Sequence, residues 1–272
     1  MKTLYPPRPV DIRQMTTDQL RQQFLLQDLF APGEIRLVHS GLDRMIVGGA
    51  MPHSELHLAA SSDLRAKFFH ERRETGVINI GEPGAVVVDG QHLHLNRMEC
   101  VYIGMGAEQV SFRSPGGGSI FYLLSCPAHR KYPTRRAGVS EAEAAQIGKA
   151  ENASCRKIYR YIHQNGIESC QLVMGFTVLS PGSVWNTWPP HTHERRSEVY
   201  LYTELGDNVV VHLMGEPEHS RHLVVRDRQA VLSPPWSMHC GAGTGSYRFI
   251  WGMAGENQSF EDMDAANLAK LI

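Results

Sequence analysis

The chain has 272 residues, enough for one large domain or two fused ones of about 100–150 residues each. Apolar side chains make up 42%, and 27 basic side chains face 28 acidic ones, for a formal net charge of −1. That balance argues against a nucleic-acid or membrane partner, while leaving open a local cationic pocket for a small anion.

The opening stretch, Met1–Val10, carries three prolines and lacks the apolar run of a leader peptide. Runs such as Met45–Met51 are too short to span a bilayer. Next, Thr16-Thr17-Asp18 offers N-caps, and Leu20, Phe24 and Leu25 follow at helical spacing, which predicts one early helix. After it the pattern changes to short runs of Val, Ile, Leu, Tyr and Phe broken by Gly, Pro, Asn and Asp. These cover 76–80, 85–88, 101–103, 109–112 and 121–124. A polar connector over 134–154 contains Ser140–Ala145, read as a short helix. Strand-like runs resume at 170–179, 199–202, 209–214, 222–225, 231–232 and 248–252, and 265–271 reads as a terminal helix. Many short strands between turn signals predict an all-β fold of sandwich or barrel type with a few short helices. The five cysteines (100, 126, 155, 170 and 240) are odd in number and scattered, with no C-x-x-C pair. They read as small hydrophobes in a reducing compartment, so a cytoplasmic protein is expected.

The two β-rich stretches are related. His70-Glu71-Arg72-Arg73 precedes the run at 76–80, as His193-Glu194-Arg195-Arg196 precedes that at 199–202. Each half then reaches a second signature, Tyr102–Gln109 in the first and Leu232–His239 in the second. A shared tetrapeptide arises by chance, but two ordered matches at similar separations point to a tandem duplication. The expected division is an N-terminal half over 1–138, a connector over 139–155 and a C-terminal half over 156–272.

The second half carries the chemistry. Side chains alternate along an extended chain, so His191 and His193 fall on one face. Glu198 opens the next strand, and His239 follows the Pro234-Pro235 turn. Three neutral imidazoles and one carboxylate suit a first-row divalent ion such as zinc, manganese, iron or nickel, with positions left for substrate or water. Among 14 histidines an isolated H-x-H means little; the glutamate and the post-proline histidine make the pattern specific. A competing set, His92-Leu93-His94 with Glu99, repeats the first spacing, but no proline-turn histidine completes it. Aligned on the duplication, positions 191, 193, 198 and 239 correspond to Phe68, His70, Glu74 and Gln109. Two ligands are replaced there, and the first barrel is expected to have lost its metal.

The stretch Trp185-Asn186-Thr187 through Pro189, His191-Thr192-His193-Glu194-Arg195-Arg196 and Glu198-Val199-Tyr200 resembles the 5-keto-4-deoxyuronate isomerase (4-deoxy-L-threo-5-hexosulose-uronate ketol-isomerase) family. Arg44–Gly49, Glu71–Gly81 and Trp251–Asp264 extend the match, which runs from near Leu20 to the end. The resemblance implies tandem cupin barrels and a zinc ion held by His191, His193, Glu198 and His239. It further implies a homohexamer that converts 5-dehydro-4-deoxy-D-glucuronate to 3-deoxy-D-glycero-2,5-hexodiulosonate in pectin breakdown. Departures at Trp188, Pro190 and Phe69-His70 touch no ligand.

Isomerisation of this kind moves a proton between adjacent carbons through an enediol, with the ion as Lewis acid and a side chain as base. The base is not identified. Tyr200 and Tyr202 share a face with Glu198 and read as pocket walls, and Glu194 as a solvated turn residue. Arg195 and Arg196 offer bidentate contacts to a substrate carboxylate, set against a reading as solvated or intersubunit residues. The rival readings are an Fe(II) cupin dioxygenase, which the same four ligands would serve, and a non-catalytic sugar-binding bicupin.

Overall fold

The computed structural model describes residues 1–272. Two compact units interleave along the chain. One gathers Met1–Leu4, Asp28–Glu143 and Tyr161–Val173; the other gathers Tyr5–Gln27, Ala144–Arg160 and Met174–Ile272. No helix is long and apolar enough to cross a membrane, and all five cysteines are free.

In the first unit a seven-stranded sheet runs Lys2–Leu4, Ile35–Ser40, Ile46–Ala50, Phe121–Pro127, Arg73–Asn79, Cys100–Ile103 and Arg135–Ala137. A four-stranded sheet runs Leu56–His57, Val110–Arg113, Gly84–Val88 and Gln91–Leu95. Alternation along the strands sends Val77, Val101, Ile103, Leu123, Val86 and Phe112 from both sheets into one apolar core. The Asp89-Gly90 pair joins Gly84–Val88 to Gln91–Leu95 with φ of 47° and 84°. Positive φ at both positions is what a two-residue hairpin of matching twist requires, and Asp-Gly accepts it cheaply.

A second seven-stranded sheet, most of whose residues belong to the second unit, runs Glu143–Ile147, Arg156–Ile162, Val173–Leu179, Arg248–Gly255, Arg196–Thr203, Ala230–Ser233 and Leu25–Leu26. A three-stranded sheet runs Arg221–Val225, Val210–Met214 and Cys240–Gly243. The early helix is present as Thr17–Phe24. The Thr16 hydroxyl accepts from Gln19 N at 3.3 Å, and Thr16 N donates to the Gln19 side chain at 2.8 Å, closing a capping box. Leu20 and Phe24 are buried on one side of it.

The predicted helices near 140 and 265 are not helices. Ser140–Ala145 falls in a 3-10 turn, Val139–Glu141, followed by the strand Glu143–Ile147 at the sheet edge. The tail forms a two-residue strand, Asp264–Ala265, and a 3-10 turn, Leu268–Lys270. Both segments are rich in helix formers, but about six residues cannot meet the cost of helix nucleation, so pairing with a neighbouring strand wins.

Candidate metal centre

The strand Arg196–Thr203 lies between Arg248–Gly255 and Ala230–Ser233, with Glu198 opposite Met253 and Ser233. Glu198, Tyr200 and Tyr202 share its inner face, as alternation requires. The short strand His191–Thr192 pairs with Asp264–Ala265 on one side, while His239 N donates to His191 O at 3.0 Å on the other. These pairings bring together the four residues singled out by spacing. One ligand atom from each of His191, His193, Glu198 and His239 lies within 4.8 Å of the others, and all four side chains are buried.

The hydrogen bonds around the cluster orient its lone pairs. His193 Nδ1 sits 2.6 Å from Asp262 O, and a carbonyl only accepts, so Nδ1 carries the proton and Nε2 presents its lone pair inward. Arg196 Nη2, 3.3 Å from the same nitrogen, donates to that carbonyl at 3.2 Å. His239 Nδ1 faces Ser237 O at 3.3 Å, which again leaves Nε2 as an acceptor. Glu198 Oε2 lies 2.7 Å from His239 Nε2 and 3.2 Å from His193 Nε2. Yet neither Glu198 Oε2 nor His239 Nε2 takes part in a hydrogen bond of acceptable angle. Glu198 Oε2 and the Nε2 atoms of His193 and His239, crowded together without protons, repel one another, and His191 Nε2 lies 3.2 Å from His193 Nε2; a divalent cation among the four donors would satisfy them all. Burial, then the neighbouring His239, pushes the His191 imidazole down to about 2, so it stays neutral. Burial works against ionisation of Glu198, but the charge that His239 and His193 would carry as imidazoliums holds its carboxyl well below its ordinary value; with both rings neutral, only a cation can play that part.

Arg195 and Arg196 are committed to structure. Arg195 Nε meets both Asp262 oxygens at 2.8 and 2.9 Å, and its Nη2 reaches Asp264 at 3.1 Å. Arg196, 1% exposed, binds the carbonyls of Ser259 and Asp262. Together they fasten the C-terminal segment whose Asp262 carbonyl orients His193. Tyr202 lies in a buried polar layer, with its hydroxyl 2.6 Å from His212 Nδ1 and 3.1 Å from Asn186 Nδ2. Tyr200 lines the site itself, and burial raises its hydroxyl well above the usual phenol value.

A small chamber of about 40 Å³ at His191, His193 and Glu198 adjoins a cavity of about 310 Å³ walled by Trp188, Pro189, Phe260 and Met263. Arg156 lines both and escaped the sequence reading. The trace was there: Arg156 and Ile158 are buried while Lys157 between them is exposed, a period of two hidden by adjacent cations.

The competing set does not assemble. His92 and His94 are exposed, and Glu99 pairs with Arg136 at 2.6 Å and accepts from Asn96 N at 2.8 Å. In the first unit the counterpart of Glu198 is Thr75, correcting the alignment on Glu74. Thr75 pairs with Ile103 and Ser125 and shares its face with the core residue Val77, and the HERR match continued without a gap leads to it. His70 Nε2 lies 2.8 Å from Thr75 Oγ1. Glu74 points the other way. Its carboxylate accepts from Cys170 N, Gln171 N and Leu172 N at 2.7, 2.8 and 2.8 Å and from the Tyr102 hydroxyl at 2.7 Å.

Residues 25–271 match the model of the KduI/IolB family. Proteins named 4-deoxy-L-threo-5-hexosulose-uronate ketol-isomerase are similar along the whole chain. That of Opitutus terrae is 52% identical over 275 residues, covering 100% of both chains, and that of Bacillus subtilis 47% over 267 residues, covering 97% of both. Among solved structures, an IolB-like protein from Salmonella typhimurium aligns with a TM-score of 0.73 at 14% identity, over 89% of this chain and 96% of that one. A mutant of Bacillus subtilis oxalate decarboxylase aligns with a TM-score of 0.60 at 12% identity, over 89% of this chain and 79% of that one. At such identities the structures speak to fold alone, and they bear out the tandem cupin barrels expected from the sequence.

Proposed function

The chain belongs to the KduI/IolB family and is a ketol-isomerase, and from that premise we propose that it converts 5-dehydro-4-deoxy-D-glucuronate to 3-deoxy-D-glycero-2,5-hexodiulosonate with a zinc ion held by His191, His193, Glu198 and His239. The observation that carries the reading is the convergence of four buried donors in a chain about half identical, over its full length, to proteins of that name. A cytoplasmic homohexamer acting on pectin-derived sugar acids completes it.

The reaction moves a proton between neighbouring carbons through an enediol. A bound zinc ion would polarise the carbonyl and stabilise the enediolate charge. The chain supplies the rest. Phe249, Trp251 and Met253 wall the chamber and exclude water, which strengthens every charge interaction inside it. Tyr200, kept protonated by burial, donates a hydrogen bond to a substrate oxygen rather than removing a proton. Hydrogen bonds donated by the Nδ1–H groups of His193 and His239 to Asp262 O and Ser237 O hold the two rings in the tautomer that leaves Nε2 free to bind.

The test is metal content and turnover of protein purified without a histidine tag, before and after chelation, with His239→Ala alongside. About one zinc per chain, with conversion of the ketouronate lost on chelation and in the variant, is the expected result. Bound iron with oxygen consumption and no isomerisation would favour a cupin dioxygenase. Absence of both metal and turnover would leave a sugar-binding bicupin.

A further inference from the structure

We propose that Arg156 anchors the substrate's carboxylate, and so selects sugar acids over neutral sugars; this rests on the isomerase reading above. Arg156 opens its strand with its side chain 8% exposed, in the wall shared by the metal chamber and the larger cavity. Its guanidinium is under-used. Nη1 donates to Ser154 O at 2.9 Å, while Nε is buried without a partner, and no carboxylate of the chain pairs with it. A buried cation left so is costly unless an anion arrives from outside. Burial also draws its pKa below the ordinary arginine value, which agrees with a site lacking its counter-ion.

The neighbouring arginines cannot take the part, because Arg195 is held by Asp262 and Asp264 and Arg196 by backbone carbonyls. The cavity of about 310 Å³ has room for a six-carbon acid, with Phe260 and Met263 against its carbon face. His191 borders both spaces. A substrate with its carbonyl end in the chamber therefore has its other end within the larger cavity, where the planar fork of Arg156 meets a carboxylate by two parallel hydrogen bonds.

The test compares wild type with Arg156→Gln and Arg156→Lys. Calorimetry with D-glucuronate and with neutral D-glucose reads binding; steady-state kinetics with the ketouronate read KM and kcat; elemental analysis reads metal. In Arg156→Gln, D-glucuronate is expected to bind on the order of 10²-fold more weakly. KM should rise in step, D-glucose binding should stay as in wild type, and metal content should not change. Lysine should restore part of the affinity for the acid, since it returns the charge without the fork. Equal affinity of wild type and Arg156→Gln for D-glucuronate, or equal losses for acid and neutral sugar, would overturn the anchor. A wild-type protein that binds D-glucuronate through Arg156 but does not convert the ketouronate would sink the isomerase reading and leave the anchor standing.

Discussion

His70 turns the apolar interior of the first barrel into a measurable quantity. Its ring is 1% exposed, packs edge-on to Phe69 at 5.0 Å between centroids, and has Thr75 Oγ1 2.8 Å from Nε2. Burial, and then the charge of Arg73, pushes its pKa from 6.5 down to about 3. The unfolded chain therefore takes up a proton near pH 6.5 and the folded chain only near pH 3. Between those values the unfolded state binds more protons, so stability falls as pH falls. From pH 7 to pH 5 the loss from this one residue is about 2 kcal/mol, and it stays near that figure for any folded value below about 4. His70→Gln keeps a polar end beside Thr75 and removes the titration. The assay is amide hydrogen exchange in the strands Arg73–Asn79 and Cys100–Ile103 at pH 7 and pH 5, corrected for intrinsic rates, so that local opening energies are compared within one sheet. Wild type should lose about 2 kcal/mol more than the variant, whose other titrating groups are the same. Equal losses in the two proteins would refute the claim that this imidazole is held neutral by burial.

Glu74→Gln replaces an acceptor of three backbone N–H groups and a tyrosine hydroxyl with a side chain whose amide also donates. At least one buried donor is then left unpaired, and a loss of about 2–4 kcal/mol is expected in urea unfolding. Asp262→Ala frees Arg195 and slackens the backbone carbonyl that orients His193. Metal affinity should drop about 10–100-fold in competition with a chromophoric chelator, and an unchanged affinity would show that the segment does not orient the ligand. Gly175→Ala would place a Cβ 2.2 Å from Tyr159 O and 2.5 Å from the Trp251 ring. Backbone cannot yield there, so a loss of about 1–3 kcal/mol is expected, with a raised KM as Trp251 is pushed toward the chamber.

The four-residue cluster was legible because each member stands at a position whose geometry is local. Alternation aligns His191 with His193, a short turn sets Glu198 at a strand start, and Pro234-Pro235 ends the run before His239. The all-β class was legible for the same reason, since Asp89-Gly90 and its like announce their turns. What lay beyond the sequence is the pairing of distant segments. Asp264–Ala265 lies beside His191–Thr192, and the Asp262 carbonyl reaches His193. Nothing within 262–271 announces this, and its local preference points to a helix. Arg156 was hidden otherwise, because a strand opening on Arg156-Lys157 looks like a solvated run until the sheet shows which of the two points inward. Glu74 misled because a carboxylate one position from the required register sits on the opposite face, a shift that strand geometry does not tolerate.

Rung by rung, the two matching ladders show what separates a barrel that holds a four-donor cluster from a filled one. Around Glu198 the neighbouring strands present Ser233 and Met253, and two residues on, Tyr200 lies between Val231 and Trp251. The same rungs of the first unit hold Thr75 with Ile103 and Ser125, then Val77 with Val101 and Leu123. Replacing Glu by Thr removes the negative charge that would offset a cation, and replacing Tyr by Val and Trp by Leu lets small apolar side chains close over the space. The polar layer of Tyr202, His212 and Asn186 has its first-unit counterpart at Asn79, which is spent on the carbonyls of Glu82 and Leu95 and on Gly81 N. Once the carboxylate is gone, a protonated His70 has no counter-charge within its apolar surroundings, and the cheapest state is a neutral ring bonded to a hydroxyl. The depressed pKa of His70 and the crowded acceptors at Glu198 are therefore opposite outcomes of one position: threonine leaves a barrel that needs no ion, and glutamate leaves one whose buried lone pairs a cation would satisfy.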